Sequence, residues 1–314
     1  MHINKLLIAS LSLVLSYTTA NADPITQLAN SNNSTNTKQT TKKTKQATKA
    51  KANKQVNKAP VAIDYSKPPR LYSHAAYVVS ADDNSNIIID KNSSSSMPIA
   101  SITKLMTAMV MLDSKVNLDD YVTITQEDVD DIKNTHSRLK VGMQLRRRDL
   151  LLLALMSSEN RAAFSLARTT FKGGIPVFVK QMNAKAKSIG MTNAFFEDPT
   201  GLSPNNRASA KDLAKMVAAA YNYPLIREDS TTKAADVMLS SRYTHRYINS
   251  DPLVRADSFQ IEVSKTGFIN EAGHCLVLYS VINSQPYAMV FLNSAGKSGR
   301  VLDAQAVKNY ISRK

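Results

Sequence analysis

The sequence contains a single cysteine, Cys275, among its 314 residues. An intramolecular disulfide is therefore excluded, and an ordinary hydrophobic core must stabilise the fold. Hydrophobic residues make up 43% of the sequence, which is sufficient for such a core. Cys275 lies in an apolar run directly after His274. Because neighbouring side chains of a strand point to opposite faces, the two do not form a thiol–imidazole pair, and Cys275 is predicted to be a small buried residue.

The sequence also lacks long apolar runs, and its one apolar segment near the start is too short to span a membrane permanently. Positive charge at Met1–Lys5 is followed by an apolar stretch, Leu6–Leu15, and then by small residues at Ala20 and Ala22. This order predicts a secretory signal peptide over residues 1–22 and export to the periplasm. The alternative, a buried N-terminal strand or helix, does not account for the order of the three regions.

Acidic residues and large apolar residues are scarce in residues 23–68. Eight lysines between Lys38 and Lys58 stand without an acidic residue and supply more than half of the net charge of +15. A segment of this composition cannot bury enough apolar surface to fold, so we expect a disordered linker. Nucleic acid is not an expected partner, because no aromatic residues stand between the lysines. The alternative to a solvated linker is a peripheral contact with anionic membrane lipid or wall polymer.

Strand patterns occur at both ends of residues 69–314, and helical patterns occur between them. This order predicts an α+β fold, in which an antiparallel sheet from residues 69–98 and 255–314 is flanked by helices and carries an inserted helical subdomain, residues 99–254. The predicted strands are Ala75–Val79, Ile87–Asp90, Phe259–Val263, Cys275–Ile282 and Pro286–Leu292. The predicted helices begin near Ile99 and cover Asp149–Met156, Arg161–Arg168, Val177–Ile189, Ala210–Tyr221 and Gly299–Ile311.

Ser101 and Lys104 stand three residues apart near the start of the first predicted helix, so both side chains lie on one helical face. A serine hydroxyl needs a nearby base, and a lysine can act as one when burial or a second cation lowers its pKa. The structural alternative for Ser101 is a helix N-cap. Only this copy of the spacing heads a long helix that is apolar almost all round; the other copies are Ser137/Lys140, Ser230/Lys233 and Ser294/Lys297.

Two further short motifs follow. Ser158-Glu159-Asn160 lies at the junction of two predicted helices, where a serine and an asparagine two residues apart can point into one cleft. Ordinary helix capping is the alternative for this motif. Lys265-Thr266-Gly267 follows an alternating strand, whose edge offers a cation, a hydroxyl and an unhindered backbone to an extended peptide. A rival, Lys297-Ser298-Gly299, directly precedes the last predicted helix, and two strands follow Lys265, which favours Lys265 as part of the sheet.

The three motifs occur in the order typical of penicillin-binding proteins and β-lactamases. Over about residues 70–313, the chain resembles the low-molecular-mass penicillin-binding serine D-Ala-D-Ala peptidases. The resemblance implies a β-lactamase/transpeptidase-like fold and an acyl-enzyme mechanism that needs no metal and no cofactor. The stretches that carry it are Pro98–Met109, Leu155–Ala163, Asp198–Ser203, Lys265–Phe268 and Ala272–Cys275.

The resemblance also implies a role for each motif residue. Ser101 would be the acylated nucleophile, and Lys104 would take its proton. Ser158 would relay a proton to the leaving amine, and Asn160 would hold the substrate amide. The substrate peptide would lie near Lys265, Thr266, Gly267 and Phe268, with Lys265 and Thr266 close to its carboxylate. The backbone N–H groups of Ser101 and Phe268 would form the oxyanion hole.

The substrate implied is the peptide of peptidoglycan, with β-lactam antibiotics as covalent inhibitors. The carboxypeptidase branch of the family carries a further β-rich domain and a terminal anchor, so the end of the chain at Lys314 favours the endopeptidase branch, which opens D-alanyl cross-links. No Glu-x-x-Leu-Asn segment is present, so a β-lactamase is not expected. The alternatives are a carboxypeptidase of the same family and a non-catalytic wall-binding protein.

Overall fold

The computed structural model describes residues 66–313, which belong to one compact unit, Ala62–Lys314. The predicted signal peptide and most of the predicted linker lie outside the described residues. The strands are β1 (Ser73–Ser80), β2 (Ile87–Lys91), β3 (Met97–Pro98), β4 (Tyr121–Thr123), β5 (Gln144–Arg146), β6 (Arg207–Ala208), β7 (Ala234–Ser240), β8 (Tyr243–Ile248), β9 (Ile261–Ile269), β10 (Gly273–Ile282) and β11 (Gln285–Ser294). The helices are α1 (Thr103–Asp113), α2 (Arg147–Met156), α3 (Asn160–Thr170), α4 (Gly174–Ser188), α5 (Ala210–Tyr221), α6 (Pro224–Thr231), α7 (Pro252–Arg255) and α8 (Gly296–Ile311).

Five strands from the two ends of the chain form one antiparallel sheet in the order β2-β1-β11-β10-β9. Tyr77 of β1 lies opposite Val290 of β11, and Val277 of β10 lies opposite Lys265 of β9. The predicted antiparallel sheet is therefore confirmed, and β9 lies at its edge. The sheet order leaves the outer side of β9 without a neighbouring strand among the described residues.

Side chains alternate between the two faces of this sheet, and both faces are buried. One face packs against the helical section, with Tyr77, Val277 and Val290 in the larger core. The other face packs against α8, with Val78 in a smaller core that also contains Val307. The sheet is thus the middle layer of three, which explains why its long strands are continuously apolar rather than half polar.

Helix α1 runs through the centre of the helical section, and its residues from Thr103 to Met111 are all buried. This confirms the prediction of a helix that is apolar almost all round. A 3-10 turn over Ala100–Ile102 precedes it, and Ser101 lies in that turn. The N-cap of α1 is Ile102, and it makes no side-chain cap bond. Ser101 is therefore not the N-cap of α1, which was the structural alternative for this residue.

Two features differ from the expectations for this part of the chain. The section predicted as helical also contains the strands β4 to β8. The hairpin of β7 and β8 was not predicted because apolar residues at its exposed positions, such as Tyr243 and Ile248, obscure the apolar alternation. Strand β9 continues through Lys265 to Ile269, so the motif lies within an edge strand rather than after a shorter one. The rival Lys297 lies in the first turn of α8. No helix among residues 66–313 is long and apolar enough to cross a membrane.

Candidate active site

Ser101 is held at the bottom of a cleft by an unusual local backbone. Its neighbour Ala100 has φ of +49°, a left-handed conformation that costs energy for a residue with a side chain. The carbonyl of Ala100 lies against Gly201, where an added Cβ would come within 1.9 Å of the Ala100 oxygen. Only glycine permits this close approach. The turn that carries Ser101 is therefore locked against a loop 100 residues further along the chain.

Lys104 lies directly beneath Ser101 and is almost completely buried, with 1% of its surface exposed. Its Nζ lies 2.8 Å from Ser101 Oγ, 2.7 Å from Asn160 Oδ1 and 2.8 Å from the Thr200 carbonyl oxygen. The last two partners only accept hydrogen bonds. A neutral Lys104 amine donates its two hydrogens to them, which leaves its lone pair directed at the Ser101 hydroxyl. The geometry suits the transfer of a proton from Ser101 to Lys104.

The electrostatic environment supports a neutral Lys104 amine. Burial lowers the pKa of Lys104 from 10.5 to about 7, although the charges of Asp198, Glu159 and Asp130 act in the opposite direction. No second cation contributes to this shift. Instead, the pKa of Lys265 is lowered well below its ordinary value, first by burial and then by the charges of Lys104 and Arg300.

The second motif reaches the same cleft from the turn between α2 and α3. Ser158 has φ of +64°, which turns its hydroxyl towards the sheet, and Lys265 Nζ donates to Ser158 Oγ over 2.9 Å. Because Ser158 accepts from Lys265, its own proton is available to another acceptor. Asn160 begins α3, and its Nδ2 donates to Thr135 Oγ1 over 2.9 Å while its Oδ1 accepts from Lys104. The structure thus brings the first two motifs and Lys265 together.

The edge strand β9 forms the other wall of the cleft. An added Cβ on Gly267 would lie 2.9 Å from the Ile99 carbonyl oxygen and 3.1 Å from the Ser101 nitrogen, so a residue without a side chain is required here. Thr266 Oγ1 lies 2.8 Å from Ser250 Oγ. Phe268 is 52% exposed, and its ring stacks on His274 with centroids 4.4 Å apart. Contacts thus join Ser101 and Asn160 to Lys104, and they join Ser158 to Lys265. Gly267 lies against the turn that carries Ser101, and Thr266 and Phe268 flank it in β9.

Three residues at the site have no counterpart among the predicted site residues. Arg300 of α8 donates through Nη1 to the carbonyl oxygens of Gly267 and Cys275, over 2.7 and 3.0 Å, and so fixes β9 at the motif. Asp198 accepts bonds from the nitrogens of Gly201 and Ser203, which shapes the loop whose Thr200 carbonyl holds Lys104. Ser250 orients Thr266. Asp198 lies in a stretch that carried the family resemblance, whereas Arg300 and Ser250 lie in no motif.

Cys275 takes no part in this chemistry. It is fully buried in β10, and burial raises the pKa of its thiol to about 11. The thiol therefore stays protonated near neutral pH and is a poor nucleophile. The prediction of a small buried residue is confirmed.

Replacing Gly201 with alanine is expected to damage both stability and the site. The added Cβ would meet the Ala100 carbonyl and Thr103 Oγ1, at 1.9 and 2.8 Å, so the turn that carries Ser101 must move. We expect a loss of about 3 kcal/mol in the free energy of unfolding, together with a strong loss of acylation by penicillin. Both are measured on the purified protein, by urea unfolding and by stopped-flow labelling.

Gly142 provides a matched control for this substitution. It has a similar φ of +89°, but nothing lies within 4 Å of an added Cβ. Gly142→Ala therefore carries only the cost of the left-handed backbone, about 1–2 kcal/mol, and should leave acylation unchanged. Equal effects of the two substitutions on acylation would contradict the assigned contact.

Comparisons with known proteins identify the family to which this chain is similar. A family model described as D-alanyl-D-alanine carboxypeptidase, peptidase family S11, matches residues 62–296. A D-alanyl-D-alanine endopeptidase of Escherichia coli (strain K12) is 44% identical over 245 residues, which are 77% of this chain and 78% of that protein. A D-alanyl-D-alanine endopeptidase of Pseudomonas aeruginosa is 41% identical over 258 residues, or 80% of this chain and 83% of that protein.

Solved structures give the same result for the fold. The crystal structure of the Streptomyces K15 DD-transpeptidase has a TM-score of 0.72 to this chain at 26% identity, and the match covers 78% of this chain and 98% of that one. The predicted transpeptidase-like fold and the resemblance stated from the motifs are thus confirmed. Because the family model matches well over half of the sequence, this chain belongs to peptidase family S11, the D-alanyl-D-alanine carboxypeptidase family.

Proposed function

We propose that this chain is a serine D-alanyl-D-alanine endopeptidase, which hydrolyses D-alanyl cross-links in peptidoglycan through an acyl-enzyme on Ser101. The observation that carries the proposal is the contact of 2.8 Å between Ser101 Oγ and the buried Nζ of Lys104. Family membership and the 44% and 41% identical endopeptidases support the substrate class.

Acylation begins when Lys104 removes the proton from Ser101 as its Oγ attacks the carbonyl carbon of the D-alanyl bond. The oxygen of the tetrahedral intermediate lies between the backbone N–H groups of Ser101 and Phe268, which stabilise its charge. The C–N bond then breaks, and Ser158 donates a proton to the leaving amine. Lys104 gives up the proton it took from Ser101, which restores the Ser158 hydroxyl and leaves Lys104 neutral in the acyl-enzyme. Ser158 is suited to this step because Lys265 donates to its oxygen and leaves its proton free.

The substrate strand lies along the exposed edge of β9, where strand addition supplies backbone hydrogen bonds. Asn160 holds the substrate amide, and Thr266 binds near the carboxylate on the leaving side. Lys265 lies beside Thr266, and the approach of a carboxylate raises its pKa and restores its charge. Gly267 gives the substrate room beside Ser101, since it has no side chain at the closest approach of β9 to the turn.

Water completes the cycle. Lys104 takes a proton from the water as its oxygen attacks the ester carbonyl, and this proton passes to Ser101 Oγ as the acyl C–O bond breaks and the peptide leaves. A β-lactam reacts with Ser101 in the same way, but its leaving group stays attached and blocks the cleft. The sequence contains no Glu-x-x-Leu-Asn segment, which is the pattern that carries the deacylating glutamate of class A β-lactamases. β-Lactams are therefore covalent inhibitors with a long-lived acyl-enzyme, rather than substrates that are turned over.

The proposal includes the location of the enzyme. Residues 1–22 form a signal peptide for export to the periplasm, and residues 23–68 form a lysine-rich linker. Residues 69–314 form the peptidase domain. The linker is proposed as a solvated segment, and the alternative is a peripheral contact with membrane lipid or anionic wall polymer.

The products of wall digestion test the choice between cross-link cleavage and terminal trimming. We expect purified peptidoglycan treated with the protein to lose its cross-linked dimers and to gain monomers, as measured by liquid chromatography of the muropeptides. Intact dimers with release of free terminal D-alanine would instead assign the carboxypeptidase activity for which the family is named. Binding to the wall without any change in its muropeptides would assign a non-catalytic wall-binding role.

A further inference from the structure

One ion pair joins the two walls of the cleft beyond the reacting centre. Lys133 Nζ lies 2.6 Å from Glu271 Oε1, although the residues are 138 positions apart in the chain. Glu271 lies in the turn between β9 and β10, three residues after Phe268. The pair therefore lies further along the wall formed by β9 than the motif residues do.

The loop that carries Lys133 is fixed to the opposite wall. Asp130 accepts bonds from the backbone nitrogens of Lys133 and Thr135, and the Thr135 hydroxyl accepts from Asn160. The position of the Lys133 backbone is thus tied to a residue of the site itself. Only its side chain, 29% exposed, crosses to Glu271, which is 41% exposed.

The contact between the pair is reversible. An ion pair that is partly exposed to solvent contributes little net free energy and is screened by salt. Binding of a substrate strand can therefore displace it at small cost. The hydrogen bond from Lys133 lowers the pKa of Glu271, so Glu271 stays charged at neutral pH.

We propose that Lys133 and Glu271 are specificity-determining residues that limit how far the acyl-donor strand extends along β9. This inference rests on the proposed function, in which the donor runs from Ser101 past Phe268. Phe268 and Ile269 are the last residues of β9, so a donor strand pairs with β9 for about two to three residues, at about 3.3 Å each, before it meets the turn that carries Glu271. A donor that ends or turns there binds without disturbing the pair, whereas a longer straight donor must break it.

A matched pair of D-alanyl peptides tests this limit. Both have the same three residues on the acyl side of the scissile bond; one ends there in an acetyl group, and the other continues for three further residues. We expect Lys133→Met and Glu271→Gln each to raise kcat/KM for the long donor by about two- to fivefold, the range for an exposed ion pair. The short donor should be unaffected. The charge-swapped double variant, Lys133→Glu with Glu271→Lys, should restore the preference.

Salt and a remote pair supply the controls. Raising the ionic strength from about 0.01 M to about 1 M should raise the long-to-short ratio in the wild-type protein and leave it flat in the single variants. Asp236→Asn breaks the exposed pair between Arg246 and Asp236, which are 3.0 Å apart on the β7–β8 hairpin, and should leave the ratio unchanged.

Two results would overturn the inference. A long-to-short ratio that is unchanged in both single variants would show that the pair does not restrict the donor. A lower ratio would show that the pair binds the extended donor instead. If the wild-type protein cleaved neither donor, the proposed function would be contradicted. This outcome is distinguishable from failure of the inference alone, because the short donor does not reach the pair and should be cleaved whether or not the pair restricts the donor.

Discussion

Ser101→Ala should lose all covalent labelling by a fluorescent penicillin while keeping its thermal unfolding temperature. In the proposed mechanism the serine hydroxyl becomes acylated, and removing it leaves Lys104 with no oxygen to activate. The turn that carries Ser101 is fixed by backbone contacts with Gly201, so the fold does not depend on the Ser101 hydroxyl. Gel fluorescence after denaturation measures the covalent label, and differential scanning calorimetry measures the unfolding temperature.

A second serine with the same sequence spacing provides the control. Ser137 and Lys140 repeat the pattern of Ser101 and Lys104, but Ser137 Oγ accepts a bond from the nitrogen of Leu139 and lies in the loop before β5. Ser137→Ala should therefore label like the wild-type protein. Label that persists in Ser101→Ala would assign the nucleophile to another residue and would end the proposed mechanism.

Much of the fold was predictable because the apolar residues in its strands and helices either alternate with polar residues or form continuous runs. The long strands β10 and β11 are apolar because both faces of the sheet are buried, and α1 is apolar almost all round because it is buried throughout its length to Met111. The hairpin of β7 and β8 has one buried face, but its exposed positions carry apolar residues such as Met238, Tyr243 and Ile248, so its sequence does not alternate clearly. Strand β9 was predicted too short because Lys265 and Gly267 are uncommon in strands.

The residues of the candidate site fall into two groups. Some occur in motifs that can be recognised in the sequence, and others are brought to the site only by the fold. The side chains proposed to act directly occur in short motifs with fixed spacing, and the structure brings residues of all three motifs into contact with one another. Arg300 and Ser250 act through partners remote in the chain: Arg300 holds backbone carbonyls of β9 and β10, and Ser250 contacts the Thr266 hydroxyl. Every residue has a backbone carbonyl, so a hydrogen bond to one does not require a particular residue type and leaves no pattern in the sequence.

The acylation rate should rise with pH through a midpoint near 7, because only the neutral amine of Lys104 can take the proton of Ser101. The pKa of Lys104 is lowered to about 7 by burial, so the neutral fraction falls tenfold for each pH unit below the midpoint and is nearly complete above it. Lys104→Arg should lose acylation at every pH, because a guanidinium stays protonated up to a pKa of about 12 or more. The measurement is the rate of labelling by penicillin in stopped-flow experiments from pH 5 to pH 9.

Glu159→Gln identifies the titrating group. The charge of Glu159 raises the pKa of Lys104, and its side chain makes no cap bond to α3, so the substitution removes a charge without removing that support. The rising limb of the plot of acylation rate against pH should therefore move to lower pH. Glu127→Gln should leave it in place, because Glu127 is 77% exposed and does not act on Lys104.

The direction of the pH effect separates Lys104 from Lys265. Lys265 also has a lowered pKa, but in the proposed mechanism it acts as a cation beside the substrate carboxylate, so its loss of charge would make the rate fall as pH rises. A rising limb thus requires a group that acts when it is deprotonated. Burial, Lys104 and Arg300 lower the pKa of Lys265, and Glu159 is not among the groups that act on it. A shift of the rising limb alone in Glu159→Gln would assign that limb to Lys104, and an unshifted limb would mean that another group supplies the base.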